Sequence, residues 1–386
     1  MQTDHAELLK GFETAFDFAQ RQVRRLIETH PDYFPMYTQG GKWRHSGEAW
    51  TNWCEGFLPG MMWIFFEETQ DSFWRDKAEH YSTLIEHRKD DRDVHDLGFL
   101  FYHGTYKRWY EATVREGKPD AALQETVFHA GRTLAMRFKE KGRYLCSFIG
   151  PESLFVDIMM NVPIILHTAK ETNDEALLDV GSRHVATSRR VLVRGDGSTA
   201  HEAIYDLETG ECLRQSTHQG YRGDSCWSRG LAWAIYGFAT SGRILEFEPW
   251  LETSRQCTQY LLEQISQDPV PAWDFDAPPE SRKQKDSSAG AIAASGLFEL
   301  AQAEQTVSAE QARHRQHVRN TAVRMLGALC EPKYLPLDDP NWEGILKEGV
   351  YHIHKGLGVG ESVMWGEFFF VEALQRAMHY LRAARK

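Results

Sequence analysis

One aspartate stands where a carboxyl group is costly to keep. Asp157 lies within Ser153-Leu154-Phe155-Val156-Asp157-Ile158-Met159-Met160-Asn161-Val162-Pro163-Ile164-Ile165-Leu166, where nearly every neighbour able to line a helix face is apolar. Burial disfavours the charged form and moves an Asp pKa upward, so such a group can hold a proton near neutral pH and deliver it as a general acid. The plainer alternative is an Asp that caps a helix or bonds a structural partner. Asp96, in Val94-His95-Asp96-Leu97-Gly98-Phe99-Leu100-Phe101-Tyr102, is the second candidate, although an Asp ahead of an apolar run is also an ordinary helix cap.

The chain carries 12 Trp, 14 Tyr and 21 Phe, and its Trp residues crowd segments that read as loops or helix starts: Trp43, Trp50, Trp53, Trp227, Trp233, Trp273, Trp342 and Trp365. Rigid aromatic faces cover the C–H face of a sugar ring while polar neighbours bind its hydroxyls. Core packing is the alternative for any single one. In Tyr221 to Trp233, positions 225, 229 and 233 recur every four residues, which places Ser225, Arg229 and Trp233 on one helix face. Arg229 could clamp a ligand carboxylate bidentately or pair with an internal acid. Histidines 95, 201, 218, 352 and 354 invite a metal reading, but no HExxH spacing or Cys/His pairing supports it. Isolated histidines more often donate hydrogen bonds or fill a core. No phosphate-binding glycine motif appears, and Gly356 to Gly360 reads as a loop.

The elements that must position these groups are helical. Apolar periodicity marks about twelve helices, over 5–29, 54–69, 72–89, 96–114, 119–140, 153–171, 174–191, 226–243, 247–267, 287–304, 308–331 and 364–384. Asp120 and Asn173-Asp174 supply N-terminal caps. Thr199 to Arg214 alternates around Glu208-Thr209-Gly210 and predicts a β-hairpin insertion. Tight turns alternate with long irregular stretches at 30–53, 193–225, 268–286 and 332–363, and loops of that length are usually functional. The pattern predicts an all-α, closed ring of six helical hairpins with the long loops at one end. Asp96 and Asp157 then both belong to even-numbered helices, which share the inner layer and could face one cavity. With no linker or fixed repeat, residues 1–386 read as one domain.

Composition narrows the class. Hydrophobic content of 42% and charged content of 26% are those of a globular chain, and a net charge of −11 argues against nucleic acid or an anionic membrane as partner. The six cysteines show no metal-like spacing, no stretch reaches a membrane span, and the N-terminus lacks a leader pattern, so a cytoplasmic location is expected. Nothing in the sequence points to an oligomeric state.

At these residues the chain resembles the unsaturated glucuronyl hydrolases of glycoside hydrolase family 88, from about residue 40 to the C-terminus. The matching strings are His95-Asp96-Leu97-Gly98-Phe99, Asp157 with Asn161-Val162-Pro163, Arg194-Gly195-Asp196-Gly197-Ser198, Thr217-His218-Gln219-Gly220, Trp227-Ser228-Arg229-Gly230 through Ala239, Trp273-Asp274-Phe275, Asp286-Ser287-Ser288-Ala289 and Met364-Trp365-Gly366-Glu367. The resemblance implies an (α/α)6 barrel. It also implies a substrate oligosaccharide ending in a Δ4,5-unsaturated uronic acid left by a polysaccharide lyase. Asp157 would protonate C4 and activate water for attack at C5; the hemiketal then opens and expels the aglycone sugar. Asp96 would be the second catalytic carboxylate, holding uronate hydroxyls. Trp53 and Trp233 would stack on sugar, while His95, His201, His218, Gln219, Ser225, Trp227 and Arg229 would shape the site. No metal or organic cofactor is implied. Family members carry a Trp shortly before the second Asp, where this chain has Phe148-Ile149-Gly150-Pro151-Glu152. The rival readings are an unsaturated rhamnogalacturonyl hydrolase acting on pectin fragments and a non-catalytic helical scaffold or sugar-binding protein.

Overall fold

Which helices lie inside follows from how their apolar residues are spread. A helix with one apolar stripe covers a core, whereas one apolar all round must itself be core. In the computed structural model, which describes residues 5–44, 52–304 and 308–384, there are twelve α-helices, of which α4 is the even-numbered one with a single apolar stripe: α1 His5–Thr29, α2 Phe57–Thr69, α3 Ser72–Leu84, α4 Tyr106–Arg115, α5 Ala121–Ala135, α6 Val162–Thr172, α7 Glu175–Leu192, α8 Ser228–Leu245, α9 Glu248–Gln264, α10 Ser287–Ala303, α11 Ala309–Leu329 and α12 Met364–Ala383. The stripe of α1 runs Leu9, Phe12, Phe16, Ala19, Val23, Leu26. By contrast every residue of α8 from Ser228 to Gly242 is buried, as is every residue of α10 from Ser287 to Ala301.

The even-numbered helices form the inner ring. Each packs on the next, α4 through the π-helical segment Gly98–Gly104 that precedes it, and α12 returns to α2 to close the circle. The odd-numbered helices wrap the outside. This is the predicted (α/α)6 barrel. Asp120 and Asp174 cap α5 and α7 as the sequence indicated, their carboxylates accepting from the N–H of Ala122 and of Ala176 and Leu177. Among the described residues, no helix is long and apolar enough to cross a membrane.

Four expected helices differ. The one over 72–89 stops at Leu84 and is followed by a 3-10 turn over Glu86–Asp90. The one over 96–114 is divided into the π segment and α4. The one over 119–140 stops at Ala135, because β3 Phe138–Lys139 turns back on β4 Tyr144–Leu145, as β1 Thr38–Gln39 does on β2 Lys42–Trp43. The one over 153–171 begins only at Val162: residues Ser153–Phe155 are β5, and Val156–Met160 form a 3-10 turn. The predicted hairpin is present as β6 Glu202–Tyr205 and β7 Cys212–Ser216, and β5 adds to its other edge as a third antiparallel strand. Trp50 lies outside the described residues.

Candidate active site

The three-stranded sheet explains where Asp157 sits. Register places Phe155 opposite Glu202 and Glu202 opposite Ser216, and the Val156 N–H donates to the His201 carbonyl at 2.9 Å. The neighbouring strand ends therefore deliver Asp157, His201 and the turn Thr217-His218-Gln219 side by side. Asp96 arrives from the adjacent inner segment. A side chain at Gly98 would collide with the Asn161 backbone, so glycine lets the two aspartate-bearing segments abut; the Phe99 N–H then donates to Asn161 Oδ1 at 2.8 Å.

One cavity is lined by Trp53, His95, Asp96, Phe148, Phe155, Asp157, His218, Gln219, Arg229 and Tyr351. Its two carboxyls are both shifted toward the protonated form. Burial, opposed by Arg229, raises Asp157 to about 6. Burial and the nearby Asp157 raise Asp96 well above the usual carboxylate range. Asp157 keeps 15% of its side-chain surface exposed, yet its Oδ2 is buried and makes no hydrogen bond.

Each carboxyl faces an imidazole. His95 accepts the Phe148 N–H at Nδ1 (3.0 Å) and places Nε2 3.4 Å from Asp96 Oδ1. His201 Nδ1 meets the N–H groups of His218 (3.1 Å) and Gln219 (3.2 Å), with Thr217 Oγ1 at 3.2 Å, and its Nε2 lies 3.6 Å from Asp157 Oδ2. Burial keeps both rings uncharged, pushing His95 down to about 3 and His201 well below its usual value.

The other expected residues divide into two groups. Trp53 is half-buried against Trp365, with ring centroids 4.7 Å apart. Trp227 stands behind the cavity wall, its ring 4.5 Å from His201 and 4.4 Å from the Arg229 guanidinium. Trp233 is 1% exposed and packs on Phe99 and Phe369, away from the cavity lining. Ser225 is not on a face with Arg229. Helix α8 begins at Ser228, because residues 226–227 are extended and pair with 274–275; the Ser225 hydroxyl instead donates to Asp274 at 2.7 Å.

Arg229 is 1% exposed and its guanidinium is engaged by Asp286 (3.2 Å), the carbonyls of Val350 and Tyr351, and Gln219 Oε1. It takes the internal-acid alternative, and by holding the Gln219 oxygen it leaves that amide's NH2 to be offered to a ligand. Phe148 lines the cavity from the segment where the resemblance expects a Trp; sequence reasoning missed Phe155 as a wall, Tyr351 as a lining residue and Asp286 as the partner of Arg229. Asp286 carried a readable signal, since it precedes Ser287-Ser288-Ala289 as a helix cap, and its carboxylate does accept from the Ser288 N–H. Among the described residues, no group of three or more His, Cys, Asp or Glu is arranged to hold a metal ion.

Residues 20–312 match the family model described as Glycosyl Hydrolase Family 88. The chain belongs to glycosyl hydrolase family 88. Its relatives include the unsaturated glucuronyl hydrolase of Bacillus sp. (strain GL1), 30% identical over 91% of this chain and 93% of the relative. Another is the unsaturated chondroitin disaccharide hydrolase of Streptococcus pneumoniae, 30% identical over 84% of this chain and 82% of that one. The crystal structure of the Bacillus sp. GL1 enzyme, described as responsible for the degradation of glycosaminoglycan, superposes with a TM-score of 0.85 at 31% identity, covering 95% of this chain and 96% of that one. A crystal structure of an unsaturated glucuronyl hydrolase specific for heparin gives a TM-score of 0.84 at 25% identity, over 97% and 98% of the two chains. The family 88 barrel thus places its six inner helices here with their N-terminal ends around the cavity: Trp53, Asp96, Asp157, Arg229, Asp286 and Trp365 each precede or open one of them.

Proposed function

We propose that this family 88 enzyme is an unsaturated glucuronyl hydrolase that adds water across the C4=C5 bond of a terminal Δ4,5-unsaturated glucuronic acid, with Asp157 as the acid and base. The Asp157 carboxyl gives its proton to C4, and positive charge develops at C5 and the ring oxygen. Water adds at C5 and its proton passes to the Asp157 carboxylate, which restores the acid. The C5 hemiketal then opens, and the aglycone sugar leaves with its own oxygen. The anomeric carbon is never the electrophile, so the carboxyl-spacing rule for ordinary glycosidases does not apply.

The observation that carries this reading is the meeting of Asp96 and Asp157 in one aromatic-walled cavity, both shifted toward the neutral acid. A carboxyl at about 6 can both deliver a proton and hold one back near neutral pH. Asp96 binds sugar hydroxyls beside the reacting bond. Trp53 and Phe148 flank the ring, and the Gln219 amide meets the uronate carboxylate inside the positive field of Arg229.

The substrate class is lyase-derived oligosaccharides, of the kind named for the relatives. The pectin-directed alternative finds no support among the relatives described above. The whole chain acts as one catalytic domain in this reading, and six free cysteines support a cytoplasmic location. Loss of the conjugated double bond, followed by ultraviolet absorbance, tests the proposal on unsaturated disaccharides prepared from chondroitin, hyaluronan, heparin and pectin. Consumption of at least one glucuronyl substrate with release of the free aglycone is expected; consumption of the pectin product alone would overturn the assignment.

A further inference from the structure

The Nε2 atom of His201 and the Oδ2 atom of Asp157 are both buried, face each other at 3.6 Å, and make no hydrogen bond. A buried polar atom without a partner is costly, so two that face each other call for an explanation. The other side of the ring supplies one. Two backbone N–H groups point at Nδ1, and an N–H can only donate, so that nitrogen must carry the lone pair. The proton of the neutral ring is thereby fixed on Nε2, the atom aimed at the carboxyl.

We propose that His201 is a positioning residue for Asp157: the Thr217 to Gln219 turn locks it as the Nε2–H tautomer, and that N–H donates to Asp157 Oδ2 once the carboxyl has released its proton. This role rests on the hydration mechanism above and differs from contact with the sugar. In the protonated form, the one able to serve C4, Asp157 is an acid and needs no donor, which fits a gap wider than a hydrogen bond. When the proton leaves for C4, the new carboxylate finds a donor already oriented. The hydrogen bond stabilises the conjugate base and is released when water returns the proton. No proton crosses to the imidazole, because His201 faces Arg229, His218, His352 and His95 in a buried site where a second positive charge is strongly disfavoured. Arg229 and Asp96 are the charged or titratable groups that act on Asp157 from the other sides. The strand register makes the device possible, since Asp157, His201 and the clamping turn leave three adjacent strand ends.

The test compares His201→Met, which fills the space without a donor, with His201→Gln, whose amide nitrogen can take the place of Nε2. For His201→Met the alkaline limb of kcat/KM should move upward by about one pH unit or more, because the carboxylate has lost a charge-assisted hydrogen bond. Its kcat should fall by roughly ten- to a hundredfold with little change in KM. His201→Gln should restore much of both. A raised KM with an unmoved limb, or a Gln variant no better than Met, would overturn the proposal.

Imidazole 15N spectra of the unaltered protein give a second readout. The His201 ring should remain neutral and Nε2-protonated from pH 5 to 8; a proton on Nδ1, or a cationic ring, would refute the lock. The spectrum is independent of turnover, so a wild-type protein that consumes no unsaturated sugar would count against the functional reading while leaving the tautomer decided.

Discussion

The barrel buries polar groups in two regions of its inner ring and treats them in opposite ways. Midway along the inner helices, away from the cavity, Glu372 accepts from Arg108, Ser295 and Tyr236, the last at 2.9 Å. Arg376 joins Glu299 at 3.0 Å, and Glu299 takes Arg243 at 2.6 Å. That cluster is closed: acids and bases answer one another, and Glu372 is held down at about 2. At the N-terminal end, Asp157 Oδ2 and His201 Nε2 remain unpaired and the acids are pushed up instead. Paired charge makes a region stable and inert, whereas charge left partly unpaired makes it reactive at some cost in stability.

The comparison breaks most sharply at Asp157. Asp157→Asn is nearly isosteric but cannot shuttle a proton, so turnover should fall by roughly a thousandfold or more, measured by the absorbance assay, with circular dichroism unchanged. In the closed cluster Glu372→Ala should leave kcat close to wild type while costing about 3–5 kcal/mol of stability, because Arg108 and Arg376 lose a buried partner. Urea unfolding reads that loss. A large fall in kcat with little loss of stability would show that the closed cluster is not merely structural.

Titration sharpens the contrast, since the two regions respond to pH with opposite sign. Glu372 sits below its ordinary 4.5, so its contribution is fully present above that pH and is lost as pH falls through about 2. Asp157 sits above its ordinary 3.8, so the folded state binds its proton more tightly and loses stability as pH rises through about 6. Asp157→Asn should therefore be more stable than the unaltered protein at pH 8, by up to roughly 3 kcal/mol, and no more stable at pH 4. Unfolding curves at the two pH values check this. The smallest effect is expected at the cavity wall, where Phe148→Trp supplies the larger ring that the family resemblance leads one to expect there. KM for chondroitin- and heparin-derived disaccharides should change by a few-fold in unequal directions, while kcat holds.

What could be read from the sequence follows the range of the forces involved. The stripe of α1 and the caps at Asp120 and Asp174 are local patterns, and they appear where the periodicity put them. The nesting of even-numbered helices inside odd-numbered ones was legible because α8 and α10 have no polar face. Residues 153–157 were misread as helix because a short apolar run suits either a buried helix or a buried strand, and the pairing that decides it joins Ser153 to Ile204, far along the chain. Ser225 was placed on the face of Arg229 for a similar reason: the extended 226–227 segment exists only because 274–275 lies beside it. The site's charges were visible one residue at a time, but the engagement of Arg229 by Asp286 and two distant carbonyls was not. Tyr351 could be found only from the fold.

The hairpin first read as an insertion has a consequence for how such an enzyme can diversify. Its strands set the spacing of Asp157, His201 and the 217–219 turn, so lengthening or shortening β6 or β7 would slide one past another and, on the proposed mechanism, silence the chemistry. New preferences for the outgoing sugar must then come from changes outside the sheet, in segments 149–151 and 352–360, which adjoin the cavity-lining Phe148 and Tyr351. Variation confined there would let a lineage explore new polysaccharides while inheriting its reactive centre intact.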